Sequence, residues 1–232
     1  MKEVQIVYDF DGTLSPSPVP FFPILKECGI TEKEFYQKIA ELKDNGINDV
    51  YESWFQSFFE IVQNSSLEIH DVTKGAQDII FCEGIEEWFS NVKEIEGKNI
   101  SHYIVTSGIE EYLYASLIAK HITKIFGASF IHENGKLKAI EKLISDKGKV
   151  DCIKKINTFH GREENDCTNL IYIGDGLTDY YAMKFVFSNG GTSILVTPPG
   201  KTPEERLFSV SHFQCDANYK KEKELFQYIK NV

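Results

Sequence analysis

A short apolar run at residues 4–8 and the next comparable run, Tyr103-Ile104-Val105, lie about 90 residues apart, several times what a crossover between neighbouring parallel strands requires. Val4, Ile6, Val7 and Tyr8 are the β-branched and aromatic types that suit a buried strand. The excess therefore has to be an insertion. Residues 15–82 supply it, and their pattern is helical: Thr31 with Glu34 three positions on has the spacing of a capping box, and Tyr51, Trp54, Phe55, Phe58, Phe59 and Val62 recur at three and four, on one helix face. A third helical stretch is expected over 71–80. Between strand and block, prolines at 16, 18, 20 and 23 exclude a continuous helix or a central strand and read as a stiff connector.

After Cys82 helix and strand patterns alternate. Helices are expected near 85–95, 109–120, 147–156 and 177–187, with a terminal one from about Tyr219. Extended runs are expected at 103–105, 125–131, 170–173 and 194–196, and Asn134-Gly135 marks a tight turn. Ser145 or Asp146 can cap the helix over 147–156. Strands separated by helices make a parallel sheet covered on both faces. The expected fold is α/β, a doubly wound parallel sheet, with residues 1–14 and 83–232 as its core and 15–82 as a second, helical unit. That unit leaves the chain beside the end of the first strand, where it would sit as a lid.

Charge and cysteines narrow the partners. A net charge of −10 opposes binding to a nucleic-acid backbone, and Arg162 and Arg206 are the only arginines among 25 basic residues, so a small anion must be held by lysine, backbone amides or metal. Five cysteines without a Cys-x-x-Cys pair suit a reducing compartment. No apolar run reaches bilayer length, and Met1-Lys2-Glu3 leads straight into the first strand rather than into a signal peptide. A cytoplasmic protein with no membrane or nucleic-acid partner is the expectation; its oligomeric state is not legible.

The chemistry starts where the first strand stops. Asp9-Phe10-Asp11-Gly12-Thr13 places two carboxylates at a strand end, ahead of a glycine and a hydroxyl, and ligands of open parallel sheets bind beyond those ends. A calcium loop is excluded, because its sixth position, where glycine is required, is Leu14, and its twelfth, where glutamate is required, is Pro20. A turn whose aspartates bond their own backbone stays open for this segment alone. Thr106-Ser107-Gly108 falls where a strand hands over to a helix, so a hydroxyl and free amides could receive an anion there, or form a plain N-cap. Lys147, with Lys149 as competitor, is a cation at the wrong end of a helix dipole. Asp175 stands at a strand end between Gly174 and Gly176, and Asp179 one turn on could ligate a cation or compensate the next helix.

In this order and spacing the four segments resemble the haloacid dehalogenase superfamily, phosphatase branch: Asp9-x-Asp11-Gly-Thr its first motif, Thr106 its second, Lys147 in Asp-Lys-Gly-Lys-Val its third, and Gly174-Asp175-Gly176-Leu-Thr-Asp179 its fourth. The resemblance spans residues 4 to 200, with the insertion placed like that family's helical cap on a Rossmann-like core. It implies a phosphomonoester hydrolase acting on a small phosphorylated metabolite through an aspartyl-phosphate. Asp9 would be the nucleophile and Asp11 the acid and base. Phosphate would be held by Thr106, Ser107, Gly108 and Lys147, and Mg2+ by Asp9, the Asp11 carbonyl, Asp175 and, through water, Asp179. The general layout is that of phosphoserine phosphatases, yet no glutamate follows the first motif and block 15–82 has no arginine to fork a substrate carboxylate, so phosphoserine is not assigned. A phosphomutase on the same motifs and a non-catalytic phospho-ligand binder stay open.

Overall fold

The structure, a computed structural model, describes residues 2–17, 22–47 and 49–232. The connector expected over 14–23 falls partly outside that set. Helix α1 (Phe22–Glu27) has Pro23 in its first turn, where a missing amide costs nothing.

A seven-stranded sheet organises the molecule in the order β4-β3-β2-β1-β5-β6-β7. The strands are β1 (Lys2–Tyr8), β2 (Lys98–Ile109), β3 (Lys124–Glu133), β4 (Lys136–Lys142), β5 (Leu170–Gly174), β6 (Thr192–Thr197) and β7 (Phe213–Asp216). All pairs are parallel except β3 with β4, which form a hairpin. Its turn is Asn134-Gly135, both at positive φ, as the sequence pair suggests. The chain grows from β1 outward to β2 and β3, then crosses back to β5, β6 and β7. The reversal of direction therefore lies beside β1, where a doubly wound sheet opens its ligand crevice.

Alternation along β1 builds both faces of the sheet. Ile6 and Tyr8 pack with Ile104, Ile171 and Ile173 under α5 (Ile85–Lys93) and α9 (Glu224–Asn231), through Trp88, Phe89, Leu225 and Phe226. Val7 points the other way, with Tyr103, Val105 and Tyr172, onto α7 (Gly148–Phe159) and α8 (Tyr180–Ser188). Beneath the first face, Trp88 donates to the Tyr8 hydroxyl at 2.7 Å, and that hydroxyl is 3.0 Å from His102 Nδ1. With its oxygen accepting from the indole, the phenol donates to a neutral imidazole, and burial pushes the His102 pKa down to about 3.

Between β1 and α5 run α2 (Glu32–Asp44), α3 (Val50–Gln63) and α4 (Ile69–Val72). Thr31 and Glu34 form the expected capping box on α2. The third expected stretch, 71–80, is broken into α4 and a 3-10 turn at Ala76–Asp78. The aromatic face of α3 is packing surface: Trp54 stacks on Phe58 and meets Phe35 edge-on, and Phe55, Phe58 and Phe59 surround Phe130 of β3. The hairpin thus completes the core of the helical segment.

Two other expectations change. The helix over 109–120 shrinks to α6 (Glu110–Tyr114) and a 3-10 turn at Ala119–His121. The terminal helix begins at Glu224, because Tyr219 is buried against Trp88 and donates to the Thr13 carbonyl at 3.0 Å. Strand β7 had no signal in the sequence. Among the described residues no helix is long and apolar enough to cross a membrane.

Candidate active site

Because β2, β1 and β5 are adjacent, Thr106, Asp9 and Asp175 emerge side by side at the carboxyl edge of the sheet. Tyr8 pairs with Ile104 on one side and Ile173 on the other, which sets Asp9 level with the residues just beyond. A pocket of about 300 Å³ opens there, lined by Asp9, Asp11, Thr106, Lys149, Asp175 and residues named below.

The turn after β1 is built for this edge. The Phe10 carbonyl accepts from the amides of Thr13, Leu14 and Ser15, folding the chain back so that half-buried Asp11 faces the pocket. Gly12 has φ +87°, and a Cβ there would lie 2.1 Å from Asp175 Oδ2. Only glycine satisfies both the left-handed backbone and the close approach of the fourth segment. Thr13, fully buried, donates to Asp175 Oδ1 at 3.3 Å.

The lysine at the centre is Lys149, not Lys147. Its Nζ lies 2.9 Å from Asp9 Oδ1 and 2.7 Å from Asp179 Oδ1, and all three side chains are buried. Lys147 is exposed, with its ammonium 5.4 Å from the centre of the Tyr181 ring. Helix geometry explains the correction. On α7 the buried positions are Lys149, Cys152, Ile153, Ile156 and Asn157, so Lys149 heads the stripe facing the sheet, while a residue two positions earlier lies about 200° around the axis. That period was present in the sequence and would have selected Lys149. Lys147 itself is the N-cap of α7, with no side-chain cap bond, and the Ser145 hydroxyl just before it accepts from the Gly148 amide at 3.2 Å.

Asp179 lies in the same carboxylate cluster as Asp9 and Asp175. Its Oδ1 accepts from Lys149 and from the Tyr172 hydroxyl at 2.7 Å; its Oδ2 accepts from the amides of Asp175 and Gly176 at 3.1 and 3.3 Å. These bonds aim Lys149 and shape the Asp175 turn. Gly174 permits this, since a Cβ there would lie 2.5 Å from Asp179 Oδ2.

Thr106, Ser107 and Gly108 do not sit at a helix N-terminus. Strand β2 runs on to Ile109, and its pairing with β3 jumps from Val105–Phe126 to Ile109–Ala128, so the tripeptide bulges out of the ladder toward the pocket. The Gly108 amide is not free for a ligand: it donates to Thr106 Oγ1 at 2.9 Å. The Thr106 and Ser107 hydroxyls are the side-chain donors of this segment at the pocket.

The electrostatics are those of a buried anionic site. Burial, then the charges of Asp179 and Asp175, hold the Asp9 pKa well above the carboxylate range against the pull of Lys149. Burial, then Asp179, pushes Asp175 up to about 7. Burial works against the Lys149 charge, but Asp179 and Asp9 outweigh it and leave its pKa raised. Three carboxylates, with oxygens within 4.8 Å of one another, face one ammonium. An all-oxygen set with an uncompensated charge of this size fits a hard divalent cation.

The haloacid dehalogenase-like hydrolase family matches residues 6–184. The chain belongs to that family. It is 24% identical to an uncharacterized protein of Borreliella burgdorferi, across 97% of this chain and 95% of that one. In shape it is similar to a phosphoserine phosphatase solved as a phospho-aspartyl intermediate analogue, at 22% identity and a TM-score of 0.64 over the whole of both chains. It is also similar to a cytosolic 5'-nucleotidase IIIB bound to cytidine, at 14% identity and a TM-score of 0.62, over 98% of this chain and 85% of that one. At these identities the likeness to the two solved structures is one of fold.

Proposed function

We propose that this family member is a phosphomonoester hydrolase that uses Mg2+ and passes through an aspartyl-phosphate on Asp9, with residues 15–82 as its cap. One observation carries the reading. Asp9 is buried, fixed on one oxygen by Lys149, and set beside Asp175 at the mouth of a pocket that also presents Asp11 and Thr106. The similarity to a phosphoserine phosphatase in a phospho-aspartyl analogue state supports the same assignment.

Asp9 attacks phosphorus; the new bond is from its carboxylate oxygen to phosphorus, and the ester bond to the leaving oxygen breaks. Asp11, protonated, gives its proton to that oxygen, and then, ionised, takes one from the water that attacks the phosphorylated Asp9. The product is inorganic phosphate, and both aspartates return to their starting states. Lys149 holds Asp9 in its attacking orientation and neutralises part of the charge around it. The Thr106 hydroxyl donates to the phosphoryl oxygens. Asp9 and Asp175, with the Asp11 carbonyl, would hold Mg2+, which supplies the positive charge that brings two anions together.

The test is phosphate release from an aryl phosphate with Mg2+ present. Activity lost in chelator and in Asp9→Asn, with the variant still folded by circular dichroism, is the expected result. Full turnover in Asp9→Asn would remove Asp9 as nucleophile.

A further inference from the structure

Tyr172 is the middle residue of β5, on the face of the sheet that α7 and α8 cover, and it is fully buried in the core that also holds Val7, Tyr103, Ala182 and Met183. It is not among the described residues that line the pocket. Leu170, two positions earlier on the same face, is wholly apolar, whereas Tyr172 carries a hydroxyl into the core and has to find it a partner. That partner is Asp179, whose Oδ1 accepts from the phenol at 2.7 Å.

The same oxygen accepts from the Lys149 ammonium at 2.7 Å, and that ammonium reaches Asp9 Oδ1 at 2.9 Å. Tyr172, Asp179, Lys149 and Asp9 form one buried row of hydrogen bonds, and its last member is the carboxylate assigned to attack phosphorus. The other Asp179 oxygen is held by the amides of Asp175 and Gly176, so the backbone fixes that end of the carboxylate and the phenol acts on the end that Lys149 uses. Two donors share Oδ1. A carboxylate oxygen can only accept, and a proton placed on it by the phenol offsets part of the charge that draws the ammonium. Lys149 already stands closer to Asp179 than to Asp9, so a stronger pull from Asp179 would come at the expense of Asp9.

We infer that Tyr172 is a positioning residue of the reaction, which sets through Asp179 how far the Lys149 ammonium leans toward Asp9. This rests on the phosphatase reading and extends it to a side chain outside the pocket. Phenylalanine in its place keeps the ring in the core and leaves Asp179 Oδ1 with Lys149 alone, and the ammonium then moves toward Asp179 and loosens its hold on Asp9.

The experiment compares the full chain with Tyr172→Phe and with Leu170→Val, which loosens the same core face without touching the row of bonds. Steady-state kinetics on p-nitrophenyl phosphate with Mg2+ should show kcat of Tyr172→Phe lowered at least about tenfold and KM within about twofold, because attack is impaired while the pocket lining is unchanged. Leu170→Val should melt lower and keep kcat within about twofold. A second readout needs no turnover. Proton–nitrogen NMR of lysine ammonium groups should give a signal for buried Lys149 that is missing from Lys149→Met, and this signal should shift in Tyr172→Phe and stay in place in Leu170→Val. With the parent active, an unchanged kcat, a fall in kcat matched by a rise in KM, or an unmoved Lys149 signal would overturn the role of Tyr172 and leave the phosphatase reading standing. A parent that hydrolyses no ester would overturn both.

Discussion

Replacing Lys149 with methionine keeps the length of the side chain and removes the ammonium that bridges Asp9 and Asp179. Both carboxylates are buried, so neither can turn to water to recover its solvation. Breaking a buried pair by deleting one partner costs about 3–5 kcal/mol, and here one deletion strands two anions in contact with Tyr172 and Asp175. For a chain of this size each kcal/mol moves the melting temperature by about 2–4 °C, so Lys149→Met should melt about 10 °C or more below the parent. Lys147→Met is the internal control. It removes an exposed ammonium from above the Tyr181 ring and should shift melting by no more than about 2 °C. Differential scanning calorimetry of the three proteins without added metal gives the comparison, and it does not depend on knowing the substrate. Equal shifts for the two variants, or a larger one for Lys147→Met, would refute the assignment of Lys149 to the centre of the site.

Two further outcomes follow from buried geometry. His102 titrates near its ordinary 6.5 when unfolded and near 3 when folded, so below pH 6.5 the unfolded chain binds the extra proton and stability falls with pH; between pH 6.5 and 5 this amounts to about 2 kcal/mol. Denaturant titrations at both pH values should show that loss in the parent and a smaller one in His102→Asn, whereas equal losses would contradict it. Gly12→Ala puts a methyl group 2.1 Å from Asp175 Oδ2 at a φ of +87°, so calorimetric titration should show Mg2+ affinity reduced more than about tenfold; unchanged affinity would remove Asp175 from the cation site.

The readable parts of this chain are those whose physics is local. Ile6 to Tyr8 and Leu170 to Ile173 announce strands by composition, and the carboxylates that follow them are at strand ends for that reason alone. Adjacency of β1 with β5 then follows from the parallel, doubly wound topology, which brings Asp9 and Asp175 together. Lys149 was legible too, through the spacing 149, 152, 153 and 156, a helix period that Lys147 does not share. Other features arise from distant pairings that no window contains. Phe130 completes the core of a helix some 70 residues earlier, and Tyr51 finds Asp146 across 95 residues. The bulge at Thr106 to Gly108 depends on where β3 resumes pairing, so its amides could not be assigned from the tripeptide. Strand β7 has only half-buried and exposed positions, Phe213 to Asp216, and so no strong hydrophobic signature to find.

The central claim is that the carboxylate of Asp9 takes up the phosphoryl group. Acid quenching during steady-state turnover of a hydrolysed ester, followed by peptide mass spectrometry, measures this directly. The account predicts the mass of one phosphoryl group on the peptide that carries Asp9, removed by hydroxylamine and absent from Asp9→Asn. Phosphate release with no labelled peptide, or with the label on another residue, would contradict it.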